Sequence, residues 1–127
     1  MSFSTNHVDI ESVRRGDGHC LQFKFKGRFT EAASIEACQH WNELMEQNPV
    51  KHTLIWDCIE MEGFEIAAKN QWSKSLKLNS NHISTVVVIS HNPVIRGAAR
   101  LMLKLFSFDS KVVRSHNQLE ESYELVV

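Results

Sequence analysis

Residues Ile83 to Phe106 constrain the fold more than any other part of the chain. Ser84-Thr85-Val86-Val87-Val88-Ile89-Ser90 is a continuous apolar, β-branched run, the pattern of a strand buried on both faces. His91-Asn92-Pro93 follows. Asn92 suits an N-cap, and Pro93 suits the first helical position, where no amide hydrogen is needed. The spacing then predicts a helix over Val94 to Phe106. Its apolar side chains cover an arc of roughly 200°, where a helix docked on one core needs little more than about 100°. Arg96, Arg100 and Lys104 fill the remaining arc at i, i+4 and i+8. One apolar face must pack on the sheet. The surplus needs a hydrophobic ligand, a second subunit or a membrane surface.

A chain of 127 residues has the length of one domain, here taken as 1–127, with one core. A formal charge of −1 gives no global drive toward nucleic acid. No apolar run approaches the length that crosses a bilayer, and the first residues carry neither the basic nor the apolar part of a secretion signal. A cytoplasmic protein is expected, touching at most the inner membrane face. The 3 cysteines, Cys20, Cys38 and Cys58, have no metal-like spacing, and an odd count argues against a disulfide framework. They read as buried reduced thiols. None of the 7 histidines makes an i, i+4 or His-x-His pair, so neither metal nor cofactor is expected.

Val8 to Val13 alternates with period two, as a half-exposed edge strand does. Arg15-Gly16-Asp17-Gly18 reads as a turn, and Cys20 to Gly27 alternates again, completing a hairpin. Thr30 can cap a helix from Glu31 to about Gln47, with Ala33, Ala37, Trp41, Leu44 and Met45 on one face and Asn48-Pro49 as its stop. His52 to Asp57 is a strand. A loop to Gly63 leads into a second helix, Phe64 to about Leu78, with Phe64, Ala68, Trp72 and Leu76 in line. Phe108-Asp109-Ser110 is a turn and Lys111 to Arg114 a last short strand. Ser115-His116-Asn117-Gln118 has the form of a capping box opening a helix to Leu125, with Leu119, Tyr123 and Val126 as its stripe. Alternating strands and helices force right-handed parallel crossovers. The expected object is α/β: a mixed, mostly parallel five-stranded sheet with an N-terminal antiparallel hairpin, flanked by four helices.

This layout resembles the STAS domain (sulfate transporter and anti-sigma factor antagonist), and is most similar to its SpoIIAA-like branch of small bacterial proteins. The segments that carry the resemblance are Phe25 to Thr30, Ile55-Trp56-Asp57 with Gly63-Phe64, Val86 to Ser90 with Ile95 to Arg100, and Lys111-Val112-Val113 with Leu119 to Ser122. Order and spacing carry it over nearly the whole chain, rather than any single motif. The resemblance implies a small non-enzymatic module that binds a protein or a small ligand at the carboxyl ends of the strands, with a layout shared by lipid-carrying folds. Phosphoswitch members carry a Ser or Thr in the loop after the third strand. Here no hydroxyl side chain occurs between Thr53 and Ser73, so that phosphorylation is unavailable. Glu60 and Glu62 could stand in for a permanent charge.

Ligands of open α/β sheets settle outside the strand carboxyl ends. Gly27 to Phe29, Asp57 to Phe64, Ser90 to Asn92 and Ser115 to Asn117 are expected to gather there, with helix starts favouring an anionic head. The candidate site comprises Arg28, Asp57, Cys58, Ser90, His91 and Arg96 around those ends. Between the second and third helices it adds Phe64, Ala68, Trp72, Ala99 and Leu103. An amphipathic or lipid-like ligand suits it. The membrane-facing candidates are Arg96, Arg100, Lys104 and Lys69 as cations, with Leu103, Phe106 and Phe108 entering the acyl boundary. Lys74 and Lys77 would enlarge that patch, and Ile66 is apolar out of phase. Trp41, Trp56 and Trp72 read as core. Two rivals remain: a protein–protein regulator or homodimer built on the same apolar arc, and an enzyme centred on Cys58, Asp57 and His91.

Overall fold

The computed structural model describes residues 2–15, 18–47 and 50–118. Six strands form one sheet in sequential order: β1 (Ser2–Ser4), β2 (Val8–Arg15), β3 (Gly18–Phe29), β4 (His52–Phe64), β5 (Ile83–Ile89) and β6 (Asp109–Val113). β2 runs antiparallel to both its neighbours, β1 and β3, and β3 to β6 are parallel. The crossovers carry α1 (Glu31–Gln47), α2 (Ile66–Leu78) and α3 (Pro93–Leu103), with a 3₁₀ turn at Ser80–His82 before β5. The stop expected at Asn48-Pro49 and the turn expected at Gly16-Asp17 lie outside the described residues. So does most of the closing helix with its Leu119, Tyr123 and Val126 stripe. Its described start, His116 to Gln118, is helical.

The expected mixed sheet is present with one strand more than anticipated. Ser2-Phe3-Ser4 pairs with Asp9 to Glu11, so β2 is not the edge along that stretch. A three-residue strand leaves almost no periodic signal. A second difference matters more for the site. Asp57 to Gly63 is not a loop: β4 continues to Phe64, paired with β3 as far as Phe29↔Phe64, whereas its pairing with β5 stops at Asp57↔Ile89. A two-stranded ribbon therefore projects beyond the rest of the sheet. It bends at register shifts between Lys24 and Lys26 and between Gly27 and Arg28. Gly27 sits there at φ +67°, a conformation that glycine alone adopts without strain.

Right-handed crossovers that always step the same way across a sheet place their helices on one face. Packing agrees. Leu21, Phe23, Leu54, Trp56, Val86 and Val88 share one core with Ala37 and Trp41 of α1, Ala68 and Trp72 of α2, and Ile95 and Ala99 of α3. The opposite sheet face carries a smaller cluster of Cys20, Ile55, Val87 and Ile89. Thus β5 is buried on both faces, as its continuous apolar run requires.

Local chemistry sets each helix. The Thr30 hydroxyl accepts from the Ala33 amide at 3.1 Å, and the Glu65 carboxylate accepts from the Glu31 amide at 2.8 Å, so two side chains cap α1. Asn92 caps α3, its side chain accepting from the Val94 amide at 2.8 Å, with Pro93 in the first turn. The α1–α2 interface is closed and bonded. Trp41 and Trp72 lie 5.0 Å apart, and the Asn79 amide donates to Asn42 at 2.8 Å and to the Ser75 carbonyl at 2.9 Å. Trp72 also meets Phe23, Phe25 and Phe29 edge to face.

Candidate functional site

The space between α2 and α3 is where the core is incomplete. α2 packs against α1, while α3 rests on β5 and β6. Between them lies an apolar cavity of about 60 Å³. Its floor comes from Phe25 and Phe29 of β3, Trp56, Cys58, Met61 and Phe64 of β4, and Val88 of β5. α2 supplies Trp72 and Lys69, and α3 supplies Ile95, Ala98, Ala99 and Met102. The long β3–β4 ribbon makes this floor possible, because Met61 and Phe64 lie beyond the last residue that β4 pairs with β5. Outside the cavity runs a groove of about 350 Å³. Lys69, Asn70 and Ser73 of α2 form one wall, and Ala98, Leu101 and Met102 of α3 with Leu105 just beyond it form the other. That volume reaches the lower end of the range for small-molecule sites. The inner cavity as it stands admits only a few atoms.

Helical phase decides which surplus side chains face out. Ile95, Ala99 and Leu103 point inward and are buried. Val94, Leu101 and Leu105 point outward at 71%, 68% and 79% exposure, and Ile66 and Leu78 of α2 are equally bare. Leu103 is therefore corrected from a membrane-facing residue to a core residue. Phe106 and Phe108 are corrected as well. The helix ends at Leu103 rather than Phe106, and the chain then bends so that these two rings stack 5.1 Å apart, half-buried against the core. Among the cations, Arg100 and Lys104 are exposed. Arg96 is half-buried, and its guanidinium donates to the Ser90 carbonyl at 2.9 Å, which fixes the start of α3.

Of the residues expected around a ligand, the structure brings Cys58, Phe64, Trp72 and Ala99 into the cavity wall. Arg28, Asp57, Ala68, Ser90, His91, Arg96 and Leu103 are not in that wall. Phe64 reaches it as the last residue of β4 and not as the start of α2. Ala68 and Leu103 are spent in the core. Ser90 is buried and serves the turn, accepting from the Asn92 amide at 3.0 Å. Arg28 and His91 are exposed on the surface. Lys69 and eight residues not expected around a ligand, Phe25, Phe29, Trp56, Met61, Val88, Ile95, Ala98 and Met102, complete the wall. The alternation Ile59-Glu60-Met61-Glu62 was the available signal for the ribbon and hence for Met61.

Asp57 belongs to the other side of the sheet. Adjacent strand residues point to opposite faces, so Cys58 enters the helix-side core while Asp57 turns away. There its carboxylate meets the His116 imidazole at 3.0 Å and accepts from the Ile59 amide at 3.1 Å. The arrangement of Cys58, Asp57 and His91 proposed for an enzyme is thus not assembled. Burial, with the Asp57 charge next door, pushes the Cys58 thiol far above the usual thiol range, which leaves it protonated and a poor nucleophile. Among the described residues no three His, Cys, Asp or Glu side chains are placed to hold a metal ion, and no helix is long and apolar enough to cross a membrane.

No protein-family model matches the chain, and no curated protein matches it. Solved structures do. An uncharacterized protein of the DUF3478 family from Shewanella loihica, described as having a SpoIIAA-like fold, superposes with a TM-score of 0.75 at 16% identity, over 97% of this chain and 98% of that one. The anti-sigma factor antagonist SpoIIAA in its unphosphorylated form superposes with a TM-score of 0.61 at 11% identity, over 92% of this chain and 97% of that one. The chain has a SpoIIAA-like fold, as its element order implied.

Proposed function

We propose that this protein is a non-enzymatic binding module that takes the apolar part of an amphipathic molecule into the α2–α3 gap. The same helices then offer a weak hold on an anionic lipid surface. The observation that carries the reading is the pairing across the groove: bare Leu101 on α3 and Leu105 just after it face Lys69 and Ser73 on α2, and Lys74 and Lys77 continue the α2 side beside Leu105. Exposed apolar side chains grouped beside cations are the composition of an interfacial surface. Each cation near an anionic membrane contributes about 1 kcal/mol, so attachment through a few lysines is reversible and salt-sensitive. A small cavity beneath a larger groove fits a site that widens when occupied.

The test is native mass spectrometry of the purified protein together with flotation on vesicles containing phosphatidylserine. Co-purifying lipid-like mass, or flotation that added salt abolishes, is the expected result. Clean protein that ignores vesicles would overturn the reading. The rival is a protein–protein regulator, favoured by the likeness to an anti-sigma factor antagonist over most of the chain. In this chain it would act without a phosphorylatable hydroxyl between Thr53 and Ser73. Light scattering after size exclusion separates the two, because a tight dimer that protects Leu101 and Leu105 leaves no bare groove for a ligand.

A further inference from the structure

The reverse face of the sheet is closed to water, yet the three crossover helices lie on the other side. Cys20, Ile55, Val87 and Ile89 are 2%, 0%, 2% and 0% exposed, with Val13, Ile59 and Val113 half-buried around them. Each of these residues belongs to a strand, and α1, α2 and α3 pack against the opposite face. A sheet face reaches such burial only beneath a second layer. The strand registers give the patch its shape. Val113, Ile89 and Asp57 stand level across β6, β5 and β4. Val87 and Ile55 stand level one step below, and Cys20 lies lower again beside Val13, level with Thr53. The patch is thus a diagonal stripe across the face.

Residues 114–118 enter this face from the carboxyl ends of the strands. The Ser115 hydroxyl accepts from the Gln118 amide at 3.4 Å, and His116 to Gln118 are helical. From beyond β6, His116 reaches past β5 and donates at 3.0 Å to the Asp57 carboxylate, itself 5% exposed. The turn that starts here therefore sets its His116 side against the sheet. In the same helical phase Leu119, Tyr123 and Val126 follow at i+3, i+7 and i+10, while Glu120, Glu121 and Glu124 fall opposite. Residues 119–127 as a helix span about 13 Å. The strand distance from Asp57 back to Thr53 is also about 13 Å. We propose that the reverse face is a docking surface for this chain's own residues 119–127, which lie across it as an amphipathic helix with His116 on Asp57 as the clasp. Tyr123 then rests over Ile55 and Val87, and Val126 points toward Cys20. Without that cover, so contiguous an apolar patch would draw in a second copy of the chain.

The native protein supplies the first test, because Tyr123 is its single tyrosine. Nuclear Overhauser contacts are expected from the Tyr123 ring to the Ile55 and Val87 methyl groups. In a mixture of labelled and unlabelled protein they should arise within one chain. Thiol labelling supplies the second test. Cys20 lies under the proposed helix, whereas Cys38 and Cys58 sit in the helix-side core and serve as the reference. Leu119→Asp combined with Tyr123→Asp should speed Cys20 labelling roughly tenfold or more by opening the covering layer, with Cys38 and Cys58 unchanged. His116→Ala should speed it by a smaller factor, and Glu121→Gln should leave it alone. Contacts that run only between chains would overturn the proposal in favour of an exchanged second copy. No contact from Tyr123 to either residue, or Cys20 labelling unmoved by the paired Asp substitutions, would overturn it outright. If the doubly substituted chain labels all three thiols alike, it has unfolded, and the contacts in the native chain decide.

Discussion

Two helix interfaces in this molecule use similar material and end differently. Between α1 and α2, the Trp41 and Trp72 rings meet at a 36° tilt, and Asn79 ties α2 to Asn42. Between α2 and α3 the same Trp72 faces a cavity, and the leucines of α3 point to solvent. Apolar content does not separate them, since α3 is the more apolar helix. Phase and closure do. α1 places Ala33, Ala37 and Trp41 on one stripe that finishes against α2, whereas α3 divides its apolar residues between an inward and an outward stripe. The contrast shows that apolar content alone does not close an interface; the phase of the apolar side chains and the bonds at its ends do.

Four substitutions or conditions probe that contrast, in decreasing order of effect. Trp41→Ala, in the closed interface, should lower unfolding free energy by about 3–5 kcal/mol in urea denaturation. A loss below about 1 kcal/mol would mean that the closed interface is as loose as the open one. Next comes one change made in two places. Ala37→Val adds methyl groups where Ala37 is 1% exposed and should cost about 1–3 kcal/mol by overpacking. Ala99→Val adds them beside the cavity, where there is space to take them up, so it should cost clearly less than Ala37→Val and should reduce any co-purifying lipid-like mass. Equal costs would erase the distinction.

Acid gives a third comparison. Burial holds the His52 imidazole below the ordinary histidine range, and neighbouring His19 and His82 add to this, against the opposing hydrogen bond to the Val50 carbonyl. The folded protein therefore resists protonating His52, whereas the unfolded chain takes the proton near pH ~6.5. Its contribution is complete above that value and is lost as pH falls through it toward the lower folded value. The urea midpoint should drop between about pH 7.5 and about pH 5.5, while the gap between the Ala37→Val and Ala99→Val stabilities stays constant, because His52 lines neither interface. A gap that changes with pH would tie the cavity to a titrating group. Smallest of all, Leu105→Gln should leave stability within about 0.5 kcal/mol, since Leu105 is 79% exposed, yet reduce vesicle flotation. Unchanged flotation would remove Leu105 from the lipid-facing surface.

Much of the framework was legible because strong local signals and tertiary packing agreed. Thr30 and Asn92-Pro93 cap the helices they were read to cap, and the β5 run is buried on both faces. The excess apolar arc of α3 was legible, but whether the space between the second and third helices stays open was not, because that depends on how the two helices seat on the folded sheet. What was not legible depended on partners remote in sequence. Cys58 to Phe64 lengthens β4 only because β3 offers matching edge groups as far as Phe29, and this moved Met61 and Phe64 into the floor. Leu103 reads as outward only when grouped with Phe106 and Phe108; its spacing of four from Ala99 and eight from Ile95 puts it on the buried face, and Leu101 takes the exposed one. Asp57 looked like part of a ligand site, and only the sheet faces show that it pairs with His116 on the reverse side.

The Glu65 carboxylate has a mechanical consequence. It stands immediately before α2 and accepts from the first amide of α1 at 2.8 Å, while Asn79 ties the far end of α2 to Asn42 of α1. α1 and α2 are thus riveted at both ends into one rigid jaw. Among the described residues, α3 is held near its start by Arg96 reaching the Ser90 carbonyl and at its far end by the buried Leu103. On the proposed binding reading, α1 and α2 would stay together as one unit and α3 would be the wall that yields.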